Sequence, residues 1–334
     1  MIKARIWRPG CPFPQKNTIQ GVKTGGMTPV RTTYLWLAFA LVWSAVGWAQ
    51  QSQVQQQSQE GTTEQMKRAQ KYIVVPKLSA DDQEEFGQQV VLAEKPVQPI
   101  FIASTDNQLL FESNALLTRN GQQSDMLFIS TTGFNIIPPL PDEYKKFILN
   151  FNGRFQAYRY GEQHQLNFHI YTGGLTGGYQ FDDLTTLLTG HSYNIYYNEQ
   201  TYNHFFDETD HYVSINRAIP IAEDLAAFTG AQVQYRNTSP ALFERMEYDL
   251  FGGIRYALDE KWVAQAYQRA EYQQYLTNTR QDWNLQTVLS LTYYFNEWVS
   301  ARIMGHYTYN NSNNKTLDYQ NLESGGGITF TAQF

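Results

Sequence analysis

"SGGGITFTAQF", residues 324–334, closes the chain. After three glycines, Ile328, Phe330, Ala332 and Phe334 fall on one parity, and Thr329, Thr331 and Gln333 on the other. Successive side chains of a strand point to opposite faces. The stretch therefore reads as a strand with one apolar and one polar face, running to the terminal carboxylate.

The same period recurs upstream. In "FILNFNGRFQAYR" (147–159), Phe147, Leu149, Phe151, Phe155 and Ala157 oppose Ile148, Asn150, Asn152, Arg154, Gln156 and Tyr158. In "LQTVLSLTYYF" (285–295), Leu285, Leu289, Leu291, Tyr293 and Phe295 alternate with Gln286, Val288, Ser290, Thr292 and Tyr294. "WVSARIMGHYTY" (298–309) sets Val299, Ala301, Ile303, Tyr307 and Tyr309 against Ser300, Arg302, Met304, His306 and Thr308. About 12 such segments begin near 107, 125, 147, 165, 184, 210, 224, 244, 261, 282, 298 and 322. An even number of ~10-residue alternating segments is the form of a bacterial transmembrane barrel.

A secreted sandwich also has one apolar face per strand. Composition favours the barrel. Aromatic residues make up 15% of the chain, with 23 Tyr and 20 Phe, while only 17% are charged. Mean hydropathy is −0.48, low because alternation dilutes the apolar residues. The fold expected is all-β: a transmembrane up-and-down antiparallel β-barrel of about 12 strands, residues 107–334, behind a mostly irregular leader. Its terminal strand resembles the C-terminal signal by which the barrel-assembly machinery of the outer membrane recognises clients. That makes Ile328, Phe330 and Phe334 the expected assembly signal, and the machinery and outer-membrane lipid the expected partners.

Connections fall into two alternating sets. "FDDL" (181–184), "IAEDL" (221–225), "ALDEKW" (257–262) and "FNEW" (295–298) are short. Segments 197–210, 236–244, 276–282 and 310–320 are longer and polar. Short turns face the periplasm and long loops the exterior in such barrels, which places the C-terminus in the periplasm.

"MTPVRTTYLWLAFALVWSAVGWAQ" (27–50) has the layout of an export signal: Arg31, a 13-residue apolar stretch from Tyr34 to Val46, and small residues at Gly47 and Ala49. The stretch is short for a spanning helix, which needs ~20 residues. Residues 1–49 are read as a removable signal. Met27 is an alternative start, and the 26 residues before it are either an upstream extension or a long n-region. Cys11, the single cysteine, lies in this segment, so the mature chain offers no thiol chemistry. The segment also holds six basic residues and no acid, which leaves 19 basic against 31 acidic residues and a net charge of −12. That balance argues against nucleic-acid binding. Residues 50–106 read as a Gln-rich periplasmic leader, acting as plug or tether or simply unstructured, with a short helix near Asp81–Gln89 capped by Ser79.

Residues 105–334 resemble an uncharacterised Gram-negative outer-membrane family of the β-barrel porin 2 type. The resemblance is carried by "LLTRNGQQSDMLF" (116–128), "LDEKW" (258–262) and the closing "YTYNNSNNKTLDYQNLESGGGITFTAQF" (307–334). It implies a barrel, and no transport substrate.

Chemistry is sparse. His191 and Ser192 are adjacent and so point to opposite faces, which defeats a nucleophile–base pair. His204, Asp207, Glu208, Asp210 and His211 read as a solvated acidic loop without metal-ligand spacing. No catalytic residue, metal or cofactor is expected. The lumen is more informative. Arg154, Arg245, Glu247, Asp249, Arg255, Arg269, Glu271, Arg302 and His306 all alternate with apolar residues. A basic residue facing lipid at mid-depth costs ~2–4 kcal/mol, so these nine are expected to line the lumen. They act there either as an ion-pair filling or as selectivity rings. The function expected is a passive channel for small polar solutes; the alternative is a non-conducting surface barrel that anchors or binds through its loops.

Overall fold

The computed structural model describes residues 100–334. The export signal and the leader up to residue 99 lie outside the described residues. Twelve strands follow: β1 (Phe101–Glu112), β2 (Asp125–Ile136), β3 (Phe147–Tyr160), β4 (Phe168–Gln180), β5 (Thr185–Asn198), β6 (His204–Pro220), β7 (Leu225–Ser239), β8 (Arg245–Ala257), β9 (Trp262–Tyr275), β10 (Gln281–Tyr294), β11 (Val299–Ser312) and β12 (Tyr319–Gln333). Each pairs antiparallel with its sequence neighbours, and β12 pairs with β1, so the sheet closes into an up-and-down barrel. Closure pairs every ladder group without leaving an edge, which a wall in lipid requires.

Two boundaries differ most from the sequence reading. β1 starts at Phe101, so residues 101–106 belong to the wall and not to the leader. β6 starts at His204, so the loop read at 197–210 shrinks to a turn at 199–203. Both stretches are polar on each face: Ser104 and Asp106 alternate with Thr105 and Asn107, and Glu208 and Asp210 with Asp207 and Thr209. Without apolar contrast the period is hidden.

Phe101 and Phe334 share one rim, here the terminus end. Connections there are 181–184, 221–224, 258–261, 295–298 and the longer 137–146, which carries three prolines and a 3-10 turn at Asp142–Tyr144. Three of the short turns share one device. Asp182 Oδ1 accepts from the N–H groups of Leu184 and Thr185 at 2.8 and 2.7 Å. Asp259 Oδ1 does the same for Lys261 and Trp262, and Asn296 Oδ1 for Trp298 and Val299. A side-chain oxygen that satisfies two turn amides explains the acid or amide at these three reversals. The opposite rim, the loop end, carries 113–124, 161–167, 199–203, 240–244, 276–280 and 313–318.

The outer face is apolar and exposed, with Leu109, Phe151, Val213, Leu250, Leu289, Ile303, Ile328 and Phe330 among its residues. Aromatic contacts border it at both rims. Phe147 meets Tyr179 at 5.2 Å and Trp262 meets Tyr293 at 4.8 Å near the termini, while Tyr272 meets Trp283 at 5.0 Å toward the loops. This is the girdled band of a lipid-facing barrel.

The glycine run has a steric cause. A Cβ on Gly325 would lie 2.1 Å from the Leu109 carbonyl oxygen, and one on Gly327 would lie 2.8 Å from that of Asn107. Only glycine lets β12 come this close to β1.

Candidate functional site: the inner wall

In a one-layer closed sheet, a side chain shielded from solvent points into the lumen. On β8, Arg245, Glu247, Asp249 and Arg255 are buried, whereas Tyr248, Leu250, Ile254 and Tyr256 are exposed. Arg269, Glu271 and His306 are buried on the inward parity of β9 and β11, and Arg154 and Arg302 are half-buried on that of β3 and β11.

The structure joins several of these to residues that the sequence reading had placed in loops. Arg236 of β7 lies 2.9 Å from Glu208 and 2.8 Å from Glu247, with Asp210 at 3.6 Å. Arg245 reaches Glu247 at 2.7 Å and donates to the Phe243 carbonyl at 3.2 Å. Arg269 grips Asp249 with two hydrogen bonds, 3.0 and 2.9 Å, and approaches Glu271 at 3.4 Å. Five carboxylates thus share three guanidiniums. The acidic "loop" is in fact the start of β6. Glu208 and Asp210 point inward, and Asp210 is the direct cross-strand partner of Arg236. His204, Asp207 and His211 stay outside. Asp207 accepts from His204 at 2.8 Å and from the Tyr193 hydroxyl at 3.2 Å. The available signal was the Glu208–Asp210–Tyr212–Ser214 parity, which continues the strand backwards into the presumed loop.

The other side of the loop-end half is apolar. Leu110, Leu127, Ile129, Tyr158, Tyr160, Phe168, Ile170, Tyr196 and Phe206 form one cluster with Ala115, Leu166 and Phe243 from three different loops. Tyr158 stacks on Phe168 at 4.5 Å, and Phe206 meets Phe243 edge-on at 5.6 Å. Side chains with no more than 1% exposure come from all round the wall: Leu110, Tyr158, Tyr196, Glu208, Glu247, Asp282 and Thr308. A water column at this level would leave their inner sides wet. The terminus-end half differs. Asn135, Asn150, Asn152, Thr176, Asn216, Gln265, Ser290 and Ser300 are all half-buried and polar.

Where β11, β12 and β1 meet, His306 Nδ1 lies 2.8 Å from Glu323 Oε1, and its Nε2 lies 3.0 Å from Thr308 Oγ1. The order carboxylate, imidazole, hydroxyl is that of a nucleophilic relay. Thr308 is fully buried, however, and the strand N–H groups around it are spent on the ladder, which leaves no backbone donors for an oxyanion. The chain acts as a tie between β11 and β12. Glu323 is also the cross-strand partner of Glu112, and Asn321 donates to Glu112 at 3.2 Å. On β5, Ser192 is buried and donates to Asp210 at 3.4 Å, while His191 is exposed outside. Among the described residues, no group of three or more His, Cys, Asp or Glu is placed to hold a metal ion.

No family model matches the chain, and no curated protein does. Among solved structures it is similar to an outer membrane channel from Pseudomonas putida F1, with 8% identity, a TM-score of 0.48, and coverage of 70% of this chain and 96% of that one. It is similar to the NanC porin at 11% identity and a TM-score of 0.40, over 68% and 98% of the two chains. It is similar to LpxR from Salmonella typhimurium at 10% identity and a TM-score of 0.41, over 69% and 99%. Likeness at this level does not speak to function. The barrel stands on its own strand pairing.

Proposed function

We propose that the protein is an outer-membrane channel barrel for small polar solutes, closed at its loop end in the conformation described. One observation carries the closure: in the loop-end half, residues no more than 1% exposed come from all round the wall. The polar, half-buried wall of the terminus-end half supports a water-filled approach, since the lining chemistry of a pore sets what it admits. On this reading residues 1–49 direct export, the C-terminus is periplasmic, and the barrel-assembly machinery inserts the chain by its last strand.

The scaffold reading is favoured by one feature. The three buried arginines of the β6–β9 network are all engaged by carboxylates and offer no charge to a passing ion. Planar-bilayer recording of the full-length refolded protein separates the two. The wild type should show small or rare conductance, and Phe206→Ala with Phe243→Ala should raise it. A large, steady wild-type conductance refutes the closed mouth. Silence from both proteins leaves the non-conducting scaffold.

A further inference from the structure

On the outer wall, one row of cross-strand partners runs Leu175, His191, His211, Tyr235. One step toward the termini the row is Thr189, Val213, Val233; one step toward the loops it is Tyr193, Thr209, Asn237. The two imidazoles therefore sit where the apolar band gives way to the polar loop-end rim. Both are exposed. Their ring centroids are 4.6 Å apart, and their Nδ1 atoms are 3.3 Å apart. Tyr235 stacks against His211 at 6.2 Å with an interplanar angle of 15°, which limits how that ring can turn.

The nitrogen separation is informative. Two imidazole nitrogens bound to zinc at ~2.0–2.1 Å and at the tetrahedral angle lie about 3.3–3.4 Å apart. Square or octahedral cis ligands at similar bond lengths lie closer, at about 2.9 Å. A single N–H···N hydrogen bond also fits the distance, but it uses one proton that a metal ion would displace. We propose that His191 and His211 form a two-imidazole site for a tetrahedral divalent ion, zinc first, on the outer wall of the barrel. Two coordination positions remain. The carboxylates around the site on this face are already engaged, Asp207 by His204 and Tyr193 and Glu244 by the Tyr235 hydroxyl, which leaves these positions to groups from outside the wall. Water or an anionic head-group oxygen would fill them.

The site is tested with zinc chloride titrated into the full-length barrel, refolded in detergent with Cys11→Ser so that the lone thiol does not compete. One equivalent should bind. Loss of an outer-sphere partner alone costs ~10–100-fold in metal affinity, so His191→Ala and His211→Ala should each weaken binding by at least about tenfold. His204→Ala should leave it unchanged. Folding of each variant is read from strand circular dichroism, and His191→Gln and His211→Gln replace any alanine variant that fails to fold. Absence of zinc binding in the parent, binding that survives both substitutions, or binding lost with His204→Ala overturns the assignment.

Discussion

Arg302 and Asp106 join strands that are not neighbours. The guanidinium on β11 reaches across β12 to the carboxylate on β1, at 3.1 Å. It passes over Gly327, the cross-strand partner of Arg302, which has no side chain to block it. Asp106 is held from the other side by the Thr329 hydroxyl at 2.7 Å and by Gln108. The pair ties the seam where the barrel closes.

Removing both partners should destabilise the barrel by less than the sum of removing each alone. Residues in direct contact typically show coupling energies of ~0.5–3 kcal/mol. Guanidinium unfolding of Arg302→Ala, Asp106→Ala and the double variant in detergent measures it. Strict additivity would mean that the reach across β12 contributes nothing.

Gly325→Ala should be worse than its size suggests. The added carbon would meet the Leu109 carbonyl oxygen and the Leu110 Cα, both backbone atoms that cannot swing aside. Overpacking of this kind costs typically ~1–3 kcal/mol. The same change at Gly305, where a Cβ meets nothing within 4 Å, should be tolerated. Equal melting of the two variants would contradict the close approach.

Arg236 should be the most costly residue of the β6–β9 network to remove. It is 2% exposed and lies between Glu208 and Glu247. Breaking a buried pair by deleting one partner costs ~3–5 kcal/mol, because the remaining charges stay desolvated. Replacing the whole group with Arg236→Met, Glu208→Gln and Glu247→Gln should recover much of the loss. The checking measurement is the unfolding midpoint of single and triple variants. A triple variant weaker than Arg236→Met alone would reverse this account.

Phe334→Ala should lower insertion yield in cells while leaving the stability of the refolded barrel nearly intact. The backbone of residue 334 zips the seam, accepting from Ile100 and Phe101 and donating to the Phe101 carbonyl at 2.9 Å. Alanine keeps those bonds and removes only the ring. A chain truncated at Gln333 loses both, so comparison of the two separates recognition from pairing. Normal membrane levels of Phe334→Ala would end the proposed role as assembly signal.

Acid should loosen the turn between β5 and β6. Burial tends to raise the Glu199 carboxyl, but the hydrogen bond and charge of Arg159, with Asn167 and His169, hold it below the ordinary value. A lowered folded value means that its stabilising contribution is complete above the ordinary glutamate value of ~4.3. It is lost as pH falls through the folded value. Arg159 is 53% exposed, so solvent screens the pair and the effect is below ~1 kcal/mol. Arg159→Ala should therefore be slightly less stable than wild type at neutral pH and equal to it in strong acid. A difference that persists in acid would point away from this carboxylate.

Much of the wall was legible because lipid demands an apolar residue at every second position. Leu285 to Tyr293 and Val299 to Tyr309 meet that demand and read as strands at once. The inner wall makes no such demand. Glu208, Asp210 and Arg236 look like loop residues because their partners arrive from neighbouring strands, and composition alone carries no register. The His306–Glu323 contact, 17 residues apart, needed the β11–β12 alignment before it could be seen. Ser104 and Asp106 hid for the opposite reason: Thr105 and Asn107, which face outward between them, are polar too.

The seam also has a kinetic side. Eleven of the twelve pairings join strands adjacent in sequence and can form as each hairpin is completed. The twelfth brings together residues such as Asp106 and Thr329, 223 positions apart. Such a contact must wait for nearly the whole chain, and its loop-closure entropy is met only at the end. Until then the sheet has two free edges, β1 and β12, each open to pairing with a second molecule. The glycines that let these edges meet leave β12 with little side-chain bulk to repel a wrong partner. Escape from dimerisation by strand exchange thus depends on how quickly the last strand finds the first.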